Sequence, residues 1–267
     1  MSITPDDLNI PDFGRRAKDY TTYRAGFPSS FFQALRALDV IRPGLQAVDL
    51  GTGTGTVARG LAAAGLHVTG IDVSETLLRE ARGIAAAEGV PVAFQHARAE
   101  DTGEPAAAFD IVTAGQCWHW FDRAAAVREA KRILKPGGVL LIAHFDWIPL
   151  AGNVVEATED LIREANPDWT MGGGTGIYPQ WFVDLSEGGF SDVRSFSYDE
   201  PVRYSHEAWR GRIRASAGIG GSLSPHHVAA FDAKLGALLF SRFPEDPLPI
   251  LHRVFVVYGQ SLRTPSA

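Results

Sequence analysis

Short, mostly apolar runs alternate with helical patterns along the first 147 residues of the chain. Nearly continuous apolar runs are typical of strands that are buried on both faces of a parallel sheet. The segments between them repeat apolar residues every three or four positions, which predicts amphipathic helices. The alternation therefore predicts a doubly wound, mostly parallel α/β sheet. The predicted strands are 47–50, 66–71, 90–94, 109–114 and 139–143, and the predicted helices are 31–38, 56–64, 74–87 and 122–134.

The alternation stops after residue 148, where helical patterns dominate. A glycine-rich segment, residues 172–176, lacks the lysine and the preceding strand of a phosphate-binding loop, so we interpret it as a flexible hinge. The helices predict a cap over the sheet, and the last strand is expected to return to the sheet. The predicted helices are 154–165, 179–189, 207–215 and 225–240, and the predicted strands are 190–197, 202–204 and 252–258.

The most informative stretch lies between residues 45 and 75. One apolar run ends in three glycines at alternate positions, Gly51, Gly53 and Gly55, and the next run ends in Asp72. Glycine permits positive φ and lets a ligand approach the backbone, and the helix that follows offers free N–H groups. An acidic residue about twenty positions after the first glycine can accept hydrogen bonds from two ribose hydroxyls. The stretch therefore predicts a nucleoside-binding site.

The glycine spacing also separates two kinds of cofactor loop. The dinucleotide fingerprint G-x-G-x-x-G requires its third glycine where this chain has Thr56, so the spacing disfavours an NAD-binding loop. Either Thr54 or Thr56 is predicted to cap the helix after the glycines. Ser74 is predicted to cap the next helix, and Gly89 is predicted to end it.

Composition narrows the class of protein. The 267 residues fit one large α/β domain with a cap, and 45% hydrophobic residues suffice for a core. The net charge of −6 disfavours a nucleic-acid partner, and no segment is long and apolar enough to span a bilayer. The single cysteine, Cys117, excludes internal disulfides, and the N-terminus lacks the apolar region of a signal peptide. We expect a cytoplasmic monomer or homodimer that binds neither nucleic acid nor membranes.

Four segments together resemble the class I S-adenosylmethionine (SAM)-dependent methyltransferases. Residues 48–55 (VDLGTGTG) resemble motif I of that family, and residues 70–72 (GID) resemble motif II. Residues 109–112 (FDIV) and 134–138 (LKPGG) resemble the fourth strand and the turn before the fifth strand. Order and spacing agree over about residues 10 to 147. The resemblance implies a seven-stranded, Rossmann-like sheet with an inserted C-terminal helical cap, SAM as the cofactor and S-adenosylhomocysteine as the product.

The resemblance also implies roles for individual cofactor-binding residues. The glycine loop would pass under the methionine part of SAM, and Asp49 would orient its amino group. Asp72 would accept from the ribose hydroxyls, and Val73 would lie against adenine. The family usually has an aspartate where this chain has Arg98, so the adenine contact is expected from its neighbours, the Ala99 backbone or Glu100. The implied set is Tyr20, Tyr23, Arg24, Asp49, Gly51, Thr52, Gly53, Gly55, Asp72, Val73, Ala99, Glu100 and Gln116.

Two further segments resemble the small-molecule branch related to trans-aconitate methyltransferase, which carries a methyltransferase type 11 domain. Residues 116–122 (QCWHWFD) resemble its Gln-x-x-His-Trp-Phe segment. Residues 20–28 (YTTYRAGFP) resemble its N-terminal arm, Tyr-x-x-Tyr-Arg-Pro-x-Tyr-Pro, which covers SAM and reaches its carboxylate. Ala25 and Phe27 replace the proline and a tyrosine of that arm. Taken without the family, the arm fits an ordinary surface helix equally well.

His119 is the candidate catalytic residue. The sulfonium of SAM already activates the methyl group, so a general base is required only when the nucleophile carries a proton. His119 follows the fourth predicted strand, at the mouth of the predicted site, which favours that role. The alternative is a histidine that packs in the segment and orients it. Trp118 and Trp120 are predicted to line the substrate pocket, whereas Phe121 fits either the pocket or the core. No metal site is predicted, because the adjacent His226 and His227 have no acidic or cysteine partner at ligand spacing. One or two of the arginines Arg203, Arg210, Arg212 and Arg214 are candidates for binding an anionic substrate group; the alternative is that they lie on a solvated helix face.

The predicted activity is transfer of the methyl group of SAM to an O, N, C or S atom of a small organic metabolite, by in-line displacement. The alternatives are an NAD-dependent oxidoreductase and a non-catalytic SAM-binding protein. Residues 1–40 are predicted to form an arm and helix over the cofactor, and residues 41–147 the SAM-binding core. Residues 148–250 would supply the substrate cap and elements that complete the sheet, and residues 251–267 the final strand and tail.

Overall fold

The apolar runs of the sequence form the centre of a seven-stranded sheet in the computed structural model, which describes Tyr23 and residues 26–262. The strand order is β3-β2-β1-β4-β5-β7-β6. Strands β1 to β5 are mutually parallel, and β7 runs antiparallel between β5 and β6. The predicted doubly wound, mostly parallel fold is confirmed. The strands are β1 (Gln46–Leu50), β2 (His67–Asp72), β3 (Val92–His96), β4 (Phe109–Gly115), β5 (Leu134–Trp147), β6 (Phe190–Tyr204) and β7 (Leu248–Ser261).

Helices cover both faces of the sheet, and three of them form the cap. The helices are α1 (Ser29–Ala37), α2 (Thr56–Ala63), α3 (Glu75–Glu88), α4 (Arg123–Ile133), α5 (Val154–Ala165), α6 (Gln180–Glu187), α7 (His206–Arg214) and α8 (Pro225–Arg242). Helices α1 and α2 share one apolar cluster with the sheet, and α4 and α6 share another on the opposite face. Helices α5, α7 and α8 enclose a third cluster of their own, which includes Trp209 and Phe231.

Side chains of the parallel strands alternate between the two covered faces. In β1, Ala47 packs with α1 and α2, whereas its neighbour Val48 packs with α4 and α6. Because successive side chains of a strand point to opposite faces, a strand covered on both sides has to be apolar throughout. This requirement explains the continuous apolar runs. It also directs the polar chemistry to the ends of the strands.

Some local predictions are confirmed and others are wrong. Ser74 caps α3 by accepting from Leu77 N at 3.4 Å, and Gly89 ends that helix in the left-handed conformation. Neither Thr54 nor Thr56 caps α2, because Gly55 occupies the N-cap with no side-chain hydrogen bond. Gly55 is in the left-handed conformation, so the helix begins after a glycine and not after a threonine that could cap it with its side chain.

One strand prediction and one turn prediction are also wrong. Residues 190–197 and 202–204 belong to one strand, β6, in which Pro201 pairs with Leu251. Proline is tolerated there because β6 lies at the edge of the sheet and has one unpaired side. Residues 135–138 were predicted as a turn, yet they lie inside β5, where a shift in register against β4 accommodates them as a bulge.

No helix among residues 26–262 has the combination of length and apolar character that crossing a membrane requires.

Candidate active site

The three glycines after β1 form a tight loop in the left-handed conformation. Their φ values are +61° at Gly51, +57° at Gly53 and +79° at Gly55. A Cβ at Gly51 would lie 2.8 Å from the sulfur of Cys117, so the loop is also closely covered there. Thr52 N donates to Ile71 O at 2.9 Å and holds the loop beside β2. The spacing of glycines is therefore required by the backbone of this loop.

Asp72, at the end of β2, joins the glycine loop to the next helix. One carboxylate oxygen accepts from Gly53 N and the other from Ser74 N, both at 2.8 Å. Burial raises the pKa of Asp72 above its ordinary value. Each carboxylate oxygen keeps a further acceptor position, because an ionised carboxylate offers about four. Asp72 can therefore hold the loop and accept from two ligand hydroxyls at the same time.

Asp49 is a second buried carboxylate, one residue before the end of β1. It accepts from Thr52 Oγ1 at 2.6 Å and from Thr113 Oγ1 at 2.8 Å. Burial raises its pKa to about 6, although these hydrogen bonds act in the opposite direction, and the negative charge of Asp72 adds to the increase. A cation that binds beside the two carboxylates would favour their ionised forms. The electrostatics of the loop therefore suit a positively charged ligand.

The predicted adenine side lies beyond β2 and β3. Val73 is half-buried, and its carbonyl oxygen contacts His96 Nε2 at 2.8 Å, a neighbour that the sequence analysis missed. Ala99 is buried. Glu100 accepts from Asp122 N at 3.0 Å and pairs with Arg98 at 3.3 Å, so it already fixes the start of α4. The backbone of Ala99 and the side chain of Val73 remain the better candidates for contact with a flat ring.

The segment after β4 is tied to the ends of two neighbouring strands. Gln116 has a φ of +60°, an uncommon value for a residue with a side chain and one that is found preferentially at functional sites. Its N–H donates to Ala143 O at 2.9 Å, and its Nε2 donates to Phe145 O at 2.8 Å. Cys117 Sγ donates to Leu50 O at 3.1 Å. Gln116 and Cys117 therefore connect the carboxyl ends of β1, β4 and β5.

The aromatic residues that follow take different positions. Trp118 is fully buried in the core, where its Nε1 donates to Asp184 Oδ2 at 2.9 Å. This position favours a supporting role over the predicted contact with substrate. His119 and Trp120 are half-buried, with ring centroids 4.6 Å apart, and they remain candidates for the pocket. Phe121 is half-buried and packs against Trp118, so it contributes to the core.

Three polar residues that the sequence analysis missed meet beside His119. His144 Nδ1 lies 2.8 Å from Asp146 Oδ1, and Tyr178 OH donates to the other carboxylate oxygen. Burial alone would raise the pKa of Asp146, but the charge and hydrogen bond of His144, with the Tyr178 hydroxyl, lower it to about 2. The His119 and His144 ring centroids are 5.4 Å apart. The sequence signal was a His-x-Asp pattern at the end of β5, since residues two apart share one face of a strand.

The arm and the cap meet above this edge of the sheet. Tyr23 packs its ring against the backbone of α7 at Gly211, so no Cβ would fit there. Phe27 packs between Phe31 and Phe145, with ring centroids 4.5 and 6.1 Å away. The other two predicted arm residues, Tyr20 and Arg24, lie outside the described residues. The described end of the arm thus extends from the sheet to the cap.

The arginines of the cap divide into structural and candidate ligand-binding residues. Arg210 and Arg214 both pair with Asp232 and thereby fasten α7 to α8. Arg203 is exposed and lies 3.9 Å from Glu245. The guanidinium of Arg212 lies 4.7 Å from the ring centroid of Trp147, at the end of β5. Arg212 therefore lies beside the carboxyl end of β5 and is a candidate for binding an anionic group. In the described part of the chain, no three His, Cys, Asp or Glu side chains form a metal-binding group.

Comparison with known proteins agrees with this geometry. A family model described as a methyltransferase domain matches residues 48–142, from β1 into β5. A 27-O-demethylrifamycin SV methyltransferase from Amycolatopsis mediterranei is 30% identical over 217 residues, which cover 78% of this chain and 75% of that protein. A ubiquinone biosynthesis O-methyltransferase from Aromatoleum aromaticum is 40% identical over 150 residues, covering 52% of this chain and 62% of that protein.

A solved structure supports the same fold. A protein from Anaeromyxobacter dehalogenans that is assigned to the type II methyltransferases superimposes with a TM-score of 0.64. It is 23% identical, and the match covers 91% of this chain and all of the other. At this level of identity the likeness establishes the fold alone. The relatives in sequence carry the evidence for the chemistry.

Proposed function

The chain belongs to the class I SAM-dependent methyltransferases that act on small molecules, and from this premise we propose that it transfers the methyl group of SAM to a hydroxyl oxygen of its substrate. The observation that carries the proposal is the joint geometry of the glycine loop and Asp72. Three left-handed glycines follow β1, and Asp72 fixes their loop while keeping acceptor positions for two hydroxyls. This arrangement suits a nucleoside with a free ribose.

Electrostatics support SAM as that nucleoside. SAM carries a sulfonium cation and an ammonium group, and the loop lies beside two carboxylates, the buried Asp49 and the half-buried Asp72, whose pKa values desolvation raises. A bound cation lowers the cost of keeping these carboxylates ionised. The glycine spacing argues against NAD, because Thr56 occupies the position at which the dinucleotide fingerprint has its third glycine.

The residues of the proposed cofactor site come from four strand ends and from the arm. Gly51, Thr52, Gly53 and Gly55 would carry the methionine part, with Asp49 behind them. Asp72 would bind the ribose, and Val73 and Ala99 would lie against adenine. Gln116, together with Tyr20, Tyr23 and Arg24 of the arm, would close the site over the methionine end; Glu100 would act by holding the loop.

For methyl transfer, the protein has to position the reactants more than it has to activate them. The methyl carbon of SAM is already activated, so the protein has to align the nucleophile opposite the sulfur and exclude water. A hydroxyl acceptor is proposed because of the names of the two relatives. One is called an O-methyltransferase, and the name of the other refers to a 27-O-demethyl compound. His119 and Trp120 are proposed to contact the substrate from the segment after β4. A cytoplasmic location and a monomeric or homodimeric state remain predictions.

Two measurements test this function together. Calorimetric titration with SAM and, separately, with NADH should give binding for SAM alone. The protein should then release S-adenosylhomocysteine when it is incubated with SAM and a panel of phenols, catechols and aliphatic alcohols. Binding of NADH in place of SAM would overturn the cofactor assignment. Tight SAM binding without turnover of hydroxyl compounds, but with turnover of amines or thiols, would overturn the hydroxyl assignment.

A further inference from the structure

His144 has a buried ring nitrogen without a hydrogen-bond partner among the residues that the structure describes. The residue is 7% exposed, and the nitrogen concerned is Nε2. An unsatisfied buried polar atom costs about 1–3 kcal/mol, so such atoms are rare unless a ligand completes them. This nitrogen lies at the carboxyl end of β5, on the edge of the sheet that carries the glycine loop and Gln116. Its position points to a ligand group that donates a hydrogen bond.

The opposite side of the ring determines which nitrogen carries the proton. His144 Nδ1 lies 2.8 Å from Asp146 Oδ1, and a carboxylate can only accept a hydrogen bond there. Tyr178 OH donates to the other oxygen of Asp146, and the hydrogen bonds of His144 and Tyr178 act to lower the pKa of this carboxyl, so it is ionised and accepts on both sides. The neutral imidazole therefore has its proton on Nδ1. Its Nε2 keeps a lone pair and is an acceptor.

The carboxylate that orients His144 is itself fixed. Tyr178 OH donates to Asp146 Oδ2, and the ring of Tyr178 stacks on Trp181 with centroids 4.2 Å apart. Trp181 is fully buried. The two oxygens of Asp146 are thus held by one histidine and one tyrosine, which prevents the carboxylate from rotating away. His144 is pre-oriented before any substrate arrives.

The backbone of His144 is fixed relative to the proposed cofactor site. Gln116 N donates to Ala143 O, and Gln116 Nε2 donates to Phe145 O, so Gln116 binds the carbonyl groups on both sides of His144. The next residue, Cys117, covers Gly51 of the glycine loop. Gln116 and Cys117 thus fix the backbone around His144 relative to the glycine loop.

The titratable groups that face His144 come from three parts of the chain. Asp146 lies on the same strand, His119 lies on the short helix Trp118–Trp120 with its ring centroid 5.4 Å away, and Tyr178 precedes α6 with its centroid at 4.8 Å. Asp146 is the negative charge among them. A positive charge that forms on the His144 ring is therefore stabilised by a carboxylate in direct contact.

We propose that His144, oriented by Asp146 and Tyr178, is the general base that removes the proton of the acceptor hydroxyl, and that the substrate is therefore an alcohol or a phenol. The proposal rests on the methyl-transfer function given above and replaces His119 as the base. His119 then serves as a wall of the pocket beside the reacting group. Asp146 and Tyr178 are positioning residues, because they act through His144.

The step balances in atoms and charge. The hydroxyl oxygen forms a bond to the methyl carbon while its O–H bond breaks and the proton moves to His144 Nε2. The bond between carbon and sulfur breaks, and its electron pair stays on sulfur, so the sulfonium becomes the neutral thioether of S-adenosylhomocysteine. The positive charge of SAM is thereby replaced by that of the imidazolium, which Asp146 stabilises. The imidazolium then releases its proton to water.

The first test is independent of the acceptor. Nitrogen-15 NMR of the full chain, labelled in histidine and saturated with S-adenosylhomocysteine, should show His144 with a proton on Nδ1 and none on Nε2 at pH 8. The His144→Asn variant identifies the signal by its loss, and Asp146→Asn should abolish the preference for this tautomer. A proton on Nε2 in the wild-type protein would overturn the proposal, since that nitrogen could not accept another.

The second test measures turnover. His144→Asn keeps a donor for Asp146 but removes the base, so kcat with catechol or any phenol that the wild type methylates should fall by about 10²- to 10⁴-fold. The affinity for SAM should stay within about twofold. The loss should be smaller for 4-nitrocatechol, whose hydroxyl ionises without help. His226→Gln, on the exposed start of α8, is the control and should retain full activity.

Failure of this proposal and failure of the proposed function give different results. A His144→Asn variant with unchanged kcat, or with an equal loss for catechol and 4-nitrocatechol, would refute the base assignment while leaving methyl transfer intact. Absence of SAM binding in the wild-type protein would instead refute the function itself. If the loss of kcat occurred in His119→Asn and not in His144→Asn, the base would be His119.

Discussion

Asp72→Ala is the substitution that most directly probes the cofactor site. In the wild-type protein the carboxylate accepts from Gly53 N and Ser74 N, both at 2.8 Å, and we propose that it also accepts from the two ribose hydroxyls of SAM. Removing it deletes both ribose contacts and the hydrogen bond from Gly53 N, whereas Thr52 N still donates to Ile71 O of β2. We expect SAM affinity to fall sharply while the fold is retained.

The magnitude follows from the number and kind of hydrogen bonds. A hydrogen bond to a charged group contributes about 1.5–3 kcal/mol, so two of them set an upper range of about 3–6 kcal/mol. Water that enters the space left by the side chain recovers part of this, which leaves about 2–4 kcal/mol. The dissociation constant of SAM should therefore rise by about 30- to 1,000-fold.

The assay is isothermal titration with SAM, accompanied by urea unfolding of each variant. Asp110→Ala is a matched control, because Asp110 also accepts from a backbone N–H, that of Gln46 at 2.9 Å, but lies at the start of β4, away from the glycine loop. The control should lose some stability and no SAM affinity. An Asp72→Ala variant that unfolds cooperatively and binds SAM within threefold of the wild type would refute the ribose assignment.

Two further substitutions test the packing of the glycine loop and the pH dependence of the protein's stability. Gly51→Ala should destabilise the protein by roughly 1–3 kcal/mol more than Gly89→Ala in urea unfolding. The two glycines have similar φ, but a Cβ at Gly51 would lie 2.8 Å from Cys117 Sγ, whereas a Cβ at Gly89 would have no atom within 4 Å. Equal losses of stability would contradict the steric crowding at Gly51. Burial lowers the pKa of His252 from 6.5 to about 4, so the unfolded chain binds more protons between these values and stability is lost as the pH falls from 6.5 to 4. Relative to His252→Phe, the wild type should lose about 3 kcal/mol over that range, and parallel pH profiles of the two proteins would refute the buried neutral histidine.

The glycine loop and its acidic partner could be predicted because they are local in sequence. Three alternating glycines at the end of an apolar run permit a left-handed backbone, and the structure gives all three positive φ. The end of the next strand lies beside the first in a parallel sheet, which places Asp72 at the loop. Whether these residues bind SAM as proposed stays a prediction.

The roles of the aromatic segment could not be predicted from residue types. Trp118, His119 and Trp120 are neighbours in a short helical turn, so a small rotation decides which ring faces the core. Trp118 turns inward because Asp184 of α6 offers an acceptor for its indole N–H. That acceptor comes from a helix 66 residues later, and nothing in the local pattern indicates it.

The sequence by itself determined the order of strands and helices, the glycine loop and the class of cofactor. The elements and the loop follow from backbone preferences and from the periodicity of neighbouring residues, whereas the class of cofactor rests on the resemblance to the methyltransferases. The tertiary structure alone decided how His144 is oriented. Asp146, which contacts His144, is only two residues away in sequence, but Tyr178, which fixes Asp146, comes from the segment before α6. A side chain acquires a defined tautomer and charge only from the groups that surround it, and packing brings those groups from distant parts of the chain.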